Sequence, residues 1–115
     1  MSGDCLFCEI VSGETPATIV RETARSVAFR DINPQAPTHV LVVSRDHHDD
    51  IAALADADPA ALTDLVQTAA AVAADEGVAA SGYRLVFNSG RSAGQVVFHV
   101  HAHLLGGRGL GWPPG

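Results

Sequence analysis

Residues 96–105 read VVFHVHAHLL, an apolar run in which His99, His101 and His103 take every second position. Strict alternation fits a β-strand, because successive side chains leave a strand on opposite faces. Phe98, Val100, Ala102 and Leu104 then form one face, which belongs to a core, and the three imidazoles share the other. Such a strand needs a covering layer on its apolar face and neighbours on both edges. At about 3.3 Å per residue, adjacent histidines stand about 7 Å apart. Neighbouring rings can line one pocket, while the outer two do not meet.

The rest of the chain supplies those partners. Asp58-Pro59 is an N-cap followed by proline at the first helical position. Leu62, Leu65, Val66, Ala69, Val72 and Ala73 then recur at helical spacing until Gly77. This predicts one long helix over a sheet face. LFCEIVS (6–12) reads as a short helix stopped by Gly13, and TIVRETARSVAFR (18–30) as two short strands around a turn near residues 22–24. DINPQAPT (31–38) carries two prolines and reads as a loop delivering His39 to the strand HVLVVSR (39–45). YRLVFNS (83–89) and residues 96–105 read as a hairpin with a longer loop. The pattern lacks alternating βαβ units. It predicts an α+β fold: five strands in a mostly antiparallel sheet, one long helix and a short N-terminal one. Residues 1–115 fit one domain.

Composition excludes some functions. Seven Lys and Arg against 13 Asp and Glu give a net charge of −6. That is the wrong sign for a surface that neutralises a run of phosphates, so no polymeric nucleic acid is expected, though one mononucleotide is compatible. No apolar run reaches the roughly 20 residues of a membrane helix, and MSGDCLFCEI lacks a basic segment followed by an apolar one. No membrane association and a cytoplasmic location are expected. Neither GxGxxG nor GxxxxGK[ST] occurs, so any phosphate is bound by other means.

Three readings of the histidines compete: a polar strand face, a metal site, and nucleophilic catalysis with imidazole attacking phosphorus while its neighbours handle protons. His39 at a strand start, Asn88 at a strand end and the backbone N–H groups of GRSAGQ (90–95) favour chemistry on phosphate. Cys5-x-x-Cys8 adds a question. Two thiols make half of a tetrahedral zinc site, and no other cysteine completes it. Either the thiols are reduced and idle, or histidines complete the set, with His47, His48 and His99 as candidates.

HVHAH with LLGG, DINPQAPTH (31–39), N-x5-GQ (88–95) and the terminal GWPPG resemble the histidine triad superfamily, and GGR with WPPG resembles its Hint-like branch. The resemblance covers essentially the whole chain. It implies a nucleotide-binding hydrolase that cleaves P–N bonds of purine nucleoside monophosphates, of phosphoramidate or aminoacyl-adenylate type, through a covalent nucleotidyl-histidine. His101 would be the nucleophile. His103 would contact phosphate and help protonate the departing amine, with His39 supporting it. Asn88, Gln95 and the backbone around Gly94 would hold phosphate oxygens, so no metal is required for turnover. Asp31 would grip the ribose, and Phe7, Ile10, Phe29 and Ile32 would form the base slot, for which plain core packing is the competing account. Val96 stands where many relatives carry a hydroxyl residue, which bears on rate and leaving group rather than on reaction class. Ala93 replaces a glycine common in that loop. The resemblance also implies a structural zinc on Cys5, Cys8, His47 and His99. It implies a homodimer in which two sheets join and Trp112 reaches toward the partner's site. The competing functions are a dinucleoside polyphosphate hydrolase and a nucleotide-binding scaffold with incidental hydrolysis.

Overall fold

The computed structural model describes residues 5–115. Its elements are α1 (Leu6–Ser12), β1 (Ile19–Glu22), β2 (Ser26–Arg30), β3 (Thr38–Ser44), α2 (Ile51–Ala57), α3 (Pro59–Asp75), β4 (Tyr83–Val86) and β5 (His101–Gly106). The strands form one sheet in the order β1-β2-β3-β5-β4, and every pairing is antiparallel. The expected α+β architecture is present.

Helices cover both faces, which is why β3 is buried at every residue and its residues 40–43 read as a continuous apolar run. Ala28, Val40, Val42, Ala102 and Leu104 pack beneath α2 and α3, against Leu54, Leu65, Ala69 and Val72. Val27, Phe29, Leu41 and Val43 turn the other way and meet Phe7 and Ile10 of α1. Burying one such Leu or Phe side chain contributes roughly 1.5–3 kcal/mol, so each face is fixed by several independent contacts. The two-residue period thus sends His101 and His103, paired with Val43 and Leu41, to the α1 face.

The caps explain the helix limits. Cys5 caps α1, and Gly13 closes it in the left-handed region at φ 87°. Asp58 accepts from the Ala61 N–H at the start of α3, as its sequence predicts. The sequence reading omitted α2, although Asp50 caps it in the same way by accepting from Ala53 N–H.

The strand expected over 96–105 begins only at His101. Residues 91–93 form a 3-10 turn, and Gly94 continues it at φ 94°, so 94–100 crosses the sheet end outside the ladder. Phe98 is consequently 40% exposed and not part of the core, whereas Val100 is buried as expected. β4 ends at Val86, opposite His103. Among the described residues no helix is long and apolar enough to cross a membrane.

Candidate active site and candidate metal centre

His101 is 7% exposed and forms the floor of a cleft of about 290 Å³. Its Nδ1 lies 2.8 Å from the backbone carbonyl of His99. A carbonyl only accepts, so Nδ1 carries the proton and Nε2 keeps a lone pair. Burial lowers the basicity of His101, against the opposing pull of that carbonyl and of Asp31. The ring is held in one tautomer, with its Nε2 lone pair free.

His103 is fixed in the reverse sense. The Gln35 N–H donates to His39 Nδ1 at 3.0 Å, which leaves the His39 proton on Nε2. That Nε2 lies 3.0 Å from His103 Nδ1 and 3.4 Å from a carboxylate oxygen of Asp31. His103 therefore accepts at Nδ1 and carries its proton on Nε2. Burial, with His101 and His39 nearby, pushes His103 down to about 4, and burial also lowers His39. With Nδ1 accepting from His39, the His103 ring presents its Nε2–H as a hydrogen-bond donor. The same tautomers argue against a cation among Asp31, His39 and His103, because the His39 Nε2 lone pair is not available.

Phe7, Ile10, Phe29 and Ile32 all line the cleft, with Asp31, Val96, His101 and His103. Phe7, Ile10 and Phe29 are also core residues, so both accounts given for them hold at once. Phe7 stands edge-on to Phe29 and to His101, at centroid distances of 5.6 and 4.9 Å. Ile32 is fully exposed and forms the rim, and Val96, 85% exposed, forms the opposite lip. Asp31 accepts from the Asn33 N–H at 2.8 Å and leaves its second oxygen toward His39. Trp112 is 83% exposed and does not line the cleft.

The loop before His101 differs from expectation. Its Ala93, Gly94 and Gln95 N–H groups donate to carbonyls of Gly90 and Arg91, so the turn consumes donors expected to face an anion. Gln95 is buried and turned inward. Its Oε1 accepts from the Gly90 N–H at 2.8 Å, and its Nε2 donates to the Asp49 and Val97 carbonyls at 2.7 and 3.1 Å. Both donors of the side chain are spent on holding the loop. Asn88 Nδ2 lies beside Gly94, 3.9 Å from where a Cβ would stand.

The ligand atoms of Cys5, Cys8, His47 and His99 converge within 4.8 Å of one another. His99 Nδ1 is 3.3 Å from Cys5 Sγ and 3.4 Å from Cys8 Sγ, and His47 Nδ1 is 3.4 Å from Cys8 Sγ. The donor set fits a cation on the tautomers alone. His99 Nε2 donates to the Ser44 carbonyl at 2.7 Å and His47 Nε2 to the Asp49 carboxylate at 3.1 Å. Both Nδ1 lone pairs thus face the thiols, held by the kind of partner that orients metal-bound histidines. Burial and Cys5 push the Cys8 thiol up to about 11. His48 is outside the cluster. Asp49, Ser44 and Gln35 escaped the sequence reading. Asp49, two residues beyond His47, was a visible signal, whereas the other two act through backbone groups that leave none.

A family model described as the HIT domain matches residues 12–110. The chain belongs to this family. It is 41% identical over 111 residues to the purine nucleoside phosphoramidase of Escherichia coli K12, covering 96% of this chain and 93% of that protein. It is 46% identical over 113 residues to a 14 kDa zinc-binding protein of Zea mays, covering 96% and 87%. The crystal structure of a HIT family hydrolase from Legionella pneumophila superposes with a TM-score of 0.93 at 50% identity, covering 96% and 99%. The protein is therefore a HIT protein related to hydrolases, and its sheet and helices are those of that fold.

Proposed function

We propose that this HIT protein hydrolyses P–N bonds of purine nucleoside phosphoramidates or aminoacyl-type adenylates through a nucleotidyl group on His101. The carrying observation is the His101 tautomer: its Nδ1 proton is held by the His99 carbonyl, and its Nε2 lone pair is free at the cleft floor. Nε2 attacks phosphorus and the P–N bond breaks. The amine leaves with the bonding pair and takes a proton from solvent at the open lip, where Val96 offers no hydroxyl. The charge appearing on His101 is met by the carbonyl at Nδ1. Water then attacks phosphorus and gives up a proton to solvent, the N–P bond breaks with its pair returning to Nε2, and neutral His101 and a nucleoside monophosphate are released. His103 Nε2–H and the Asn88 amide donate to phosphate oxygens, Asp31 accepts from ribose hydroxyls, and the base lies between Phe7, Ile10, Phe29 and Ile32. The relationship to a purine nucleoside phosphoramidase supports the choice of substrate.

The test is turnover of an adenosine phosphoramidate by wild type and His101→Ala. Loss of at least about a thousandfold is expected, and undiminished turnover overturns the reading. Faster hydrolysis of a diadenosine polyphosphate would select that activity instead. Tight nucleotide binding with negligible turnover would select a scaffold.

Structural zinc on Cys5, Cys8, His47 and His99 belongs to the same proposal, supported by the tautomers and by the zinc-binding relative. When bound, zinc would tie α1 to the sheet beside His101. Metal analysis should find one zinc per chain, reduced in Cys8→Ser. A homodimer is proposed from the exposed Trp112, and light scattering at micromolar concentration reads it directly.

A further inference from the structure

His99 belongs to two sites at once. Its ring faces Cys5 and Cys8 through Nδ1, and its backbone carbonyl accepts from His101 Nδ1 at 2.8 Å. The sheet does not hold that carbonyl in place, since β5 and its ladder start only at His101. Three other contacts do. The Val100 N–H donates to the His48 carbonyl at 2.8 Å, the His99 ring donates to the Ser44 carbonyl at 2.7 Å, and Nδ1 meets the thiols. The first also leads to the cluster, because His47 beside it carries the fourth donor.

We propose that the Cys5–Cys8–His47–His99 cluster, with a cation in it, positions the nucleophile by fixing the His99 carbonyl that keeps the His101 proton on Nδ1 and the lone pair on Nε2. The four residues are positioning residues, and none of them lines the nucleotide cleft. Ligation holds donor atoms to within about 0.2 Å, whereas free thiols at the start of a seven-residue helix hold them only by weak hydrogen bonds. A misplacement of about 1 Å can cost about a hundredfold in rate, so a cluster remote from substrate can still govern kcat. The proposal rests on His101 being the nucleophile, as argued above.

The experiment uses the full chain with 15N-labelled histidine, zinc-loaded and chelator-stripped, at one fixed pH. Two-bond proton–nitrogen correlation reads which ring nitrogen of His101 is protonated. The loaded protein should show one tautomer with the proton on Nδ1, and the stripped protein an average of two. In parallel, kcat should fall about ten- to a hundredfold while the nucleotide KM stays within about twofold. His47→Cys, which offers zinc four donors again, should restore both readings, and His47→Ala should not. If stripping unfolds the chain by circular dichroism, zinc-supplemented His47→Ala, with three donors left, is read in its place. An unchanged His101 spectrum and kcat in folded, metal-free protein overturn the proposal. A tautomer change without any His101-dependent turnover would support the positioning and remove the proposed activity, so the two can be told apart.

Discussion

Replacing Gln95 by alanine separates a loop clamp from a phosphate donor. The side chain makes three hydrogen bonds, with the Gly90 N–H and with the Asp49 and Val97 carbonyls, and it is almost fully buried. Among the described residues no buried side-chain nitrogen or oxygen lacks a partner, so Gln95→Ala strands three backbone groups in a previously satisfied region. At about 1 kcal/mol for each lost bond, the expected cost is about 3 kcal/mol. For a chain of this size, at about 4 °C per kcal/mol, the melting temperature falls by about 12 °C. Gln95→Glu sharpens the test. A carboxylate can still accept from Gly90 but turns an oxygen toward two carbonyls, so it should be at least as destabilising at pH 7. It should recover on acidification, when a carboxylic O–H replaces one lost donor. Urea titration and hydrogen exchange at the Gly90 amide measure both variants. A cost below about 1 kcal/mol for Gln95→Ala, with nucleotide affinity reduced tenfold, would refute the clamp and return Gln95 to the phosphate.

Three further outcomes are expected. The depressed basicity of His39 and His103 means that both are neutral in the folded chain, while the unfolded chain takes up protons below about pH 6.5. Stability should therefore decline as pH falls from about 6.5 toward 4, the decline should shrink in His103→Gln, and equal urea midpoints at pH 7 and 5 would contradict it. Gly107→Ala places a Cβ 2.9 Å from Pro37 Cβ at a backbone φ of 88°, and should cost more than about 1 kcal/mol by thermal unfolding. Asp64→Asn weakens the carboxylate that accepts from Thr23 and Ser26 at 2.6 and 2.7 Å, and should loosen the β1–β2 turn, read as faster amide exchange at Ser26.

Periodicity made most of the fold legible. The long helix, its Asp58 cap, the Gly13 stop and the five strands all follow from local pattern, because each is amphipathic or punctuated where it ends. Two errors have separate physical origins. The alternation of residues 96–100 looks like strand, yet Gly90 and Gly94 adopt positive φ and Gln95 ties the turn to Asp49. A tertiary hydrogen bond from a distant loop thus ended the ladder, and no local signal records it. The omitted α2 is short, and the Asp58-Pro59 signal that follows it drew the boundary of the next helix over it. The cleft and the cysteine cluster were legible as residue types, whereas the acceptors and donors behind each ring were not.

Those hidden partners decide what each histidine does. A carbonyl or carboxylate behind the ring accepts from its N–H and so leaves a lone pair in front, as for His101 with the His99 carbonyl, His99 with the Ser44 carbonyl and His47 with Asp49. An N–H behind the ring does the opposite. The Gln35 amide sets His39, His39 sets His103, and the chain ends in an N–H at the cleft. Under the proposed function, one residue type would accordingly supply a nucleophile, two metal donors and a phosphate-facing donor, all near a single strand. Since the backbone makes most of these assignments, swapping side chains around the triad should change its chemistry less than shifting residues 35, 44 or 99 by an ångström.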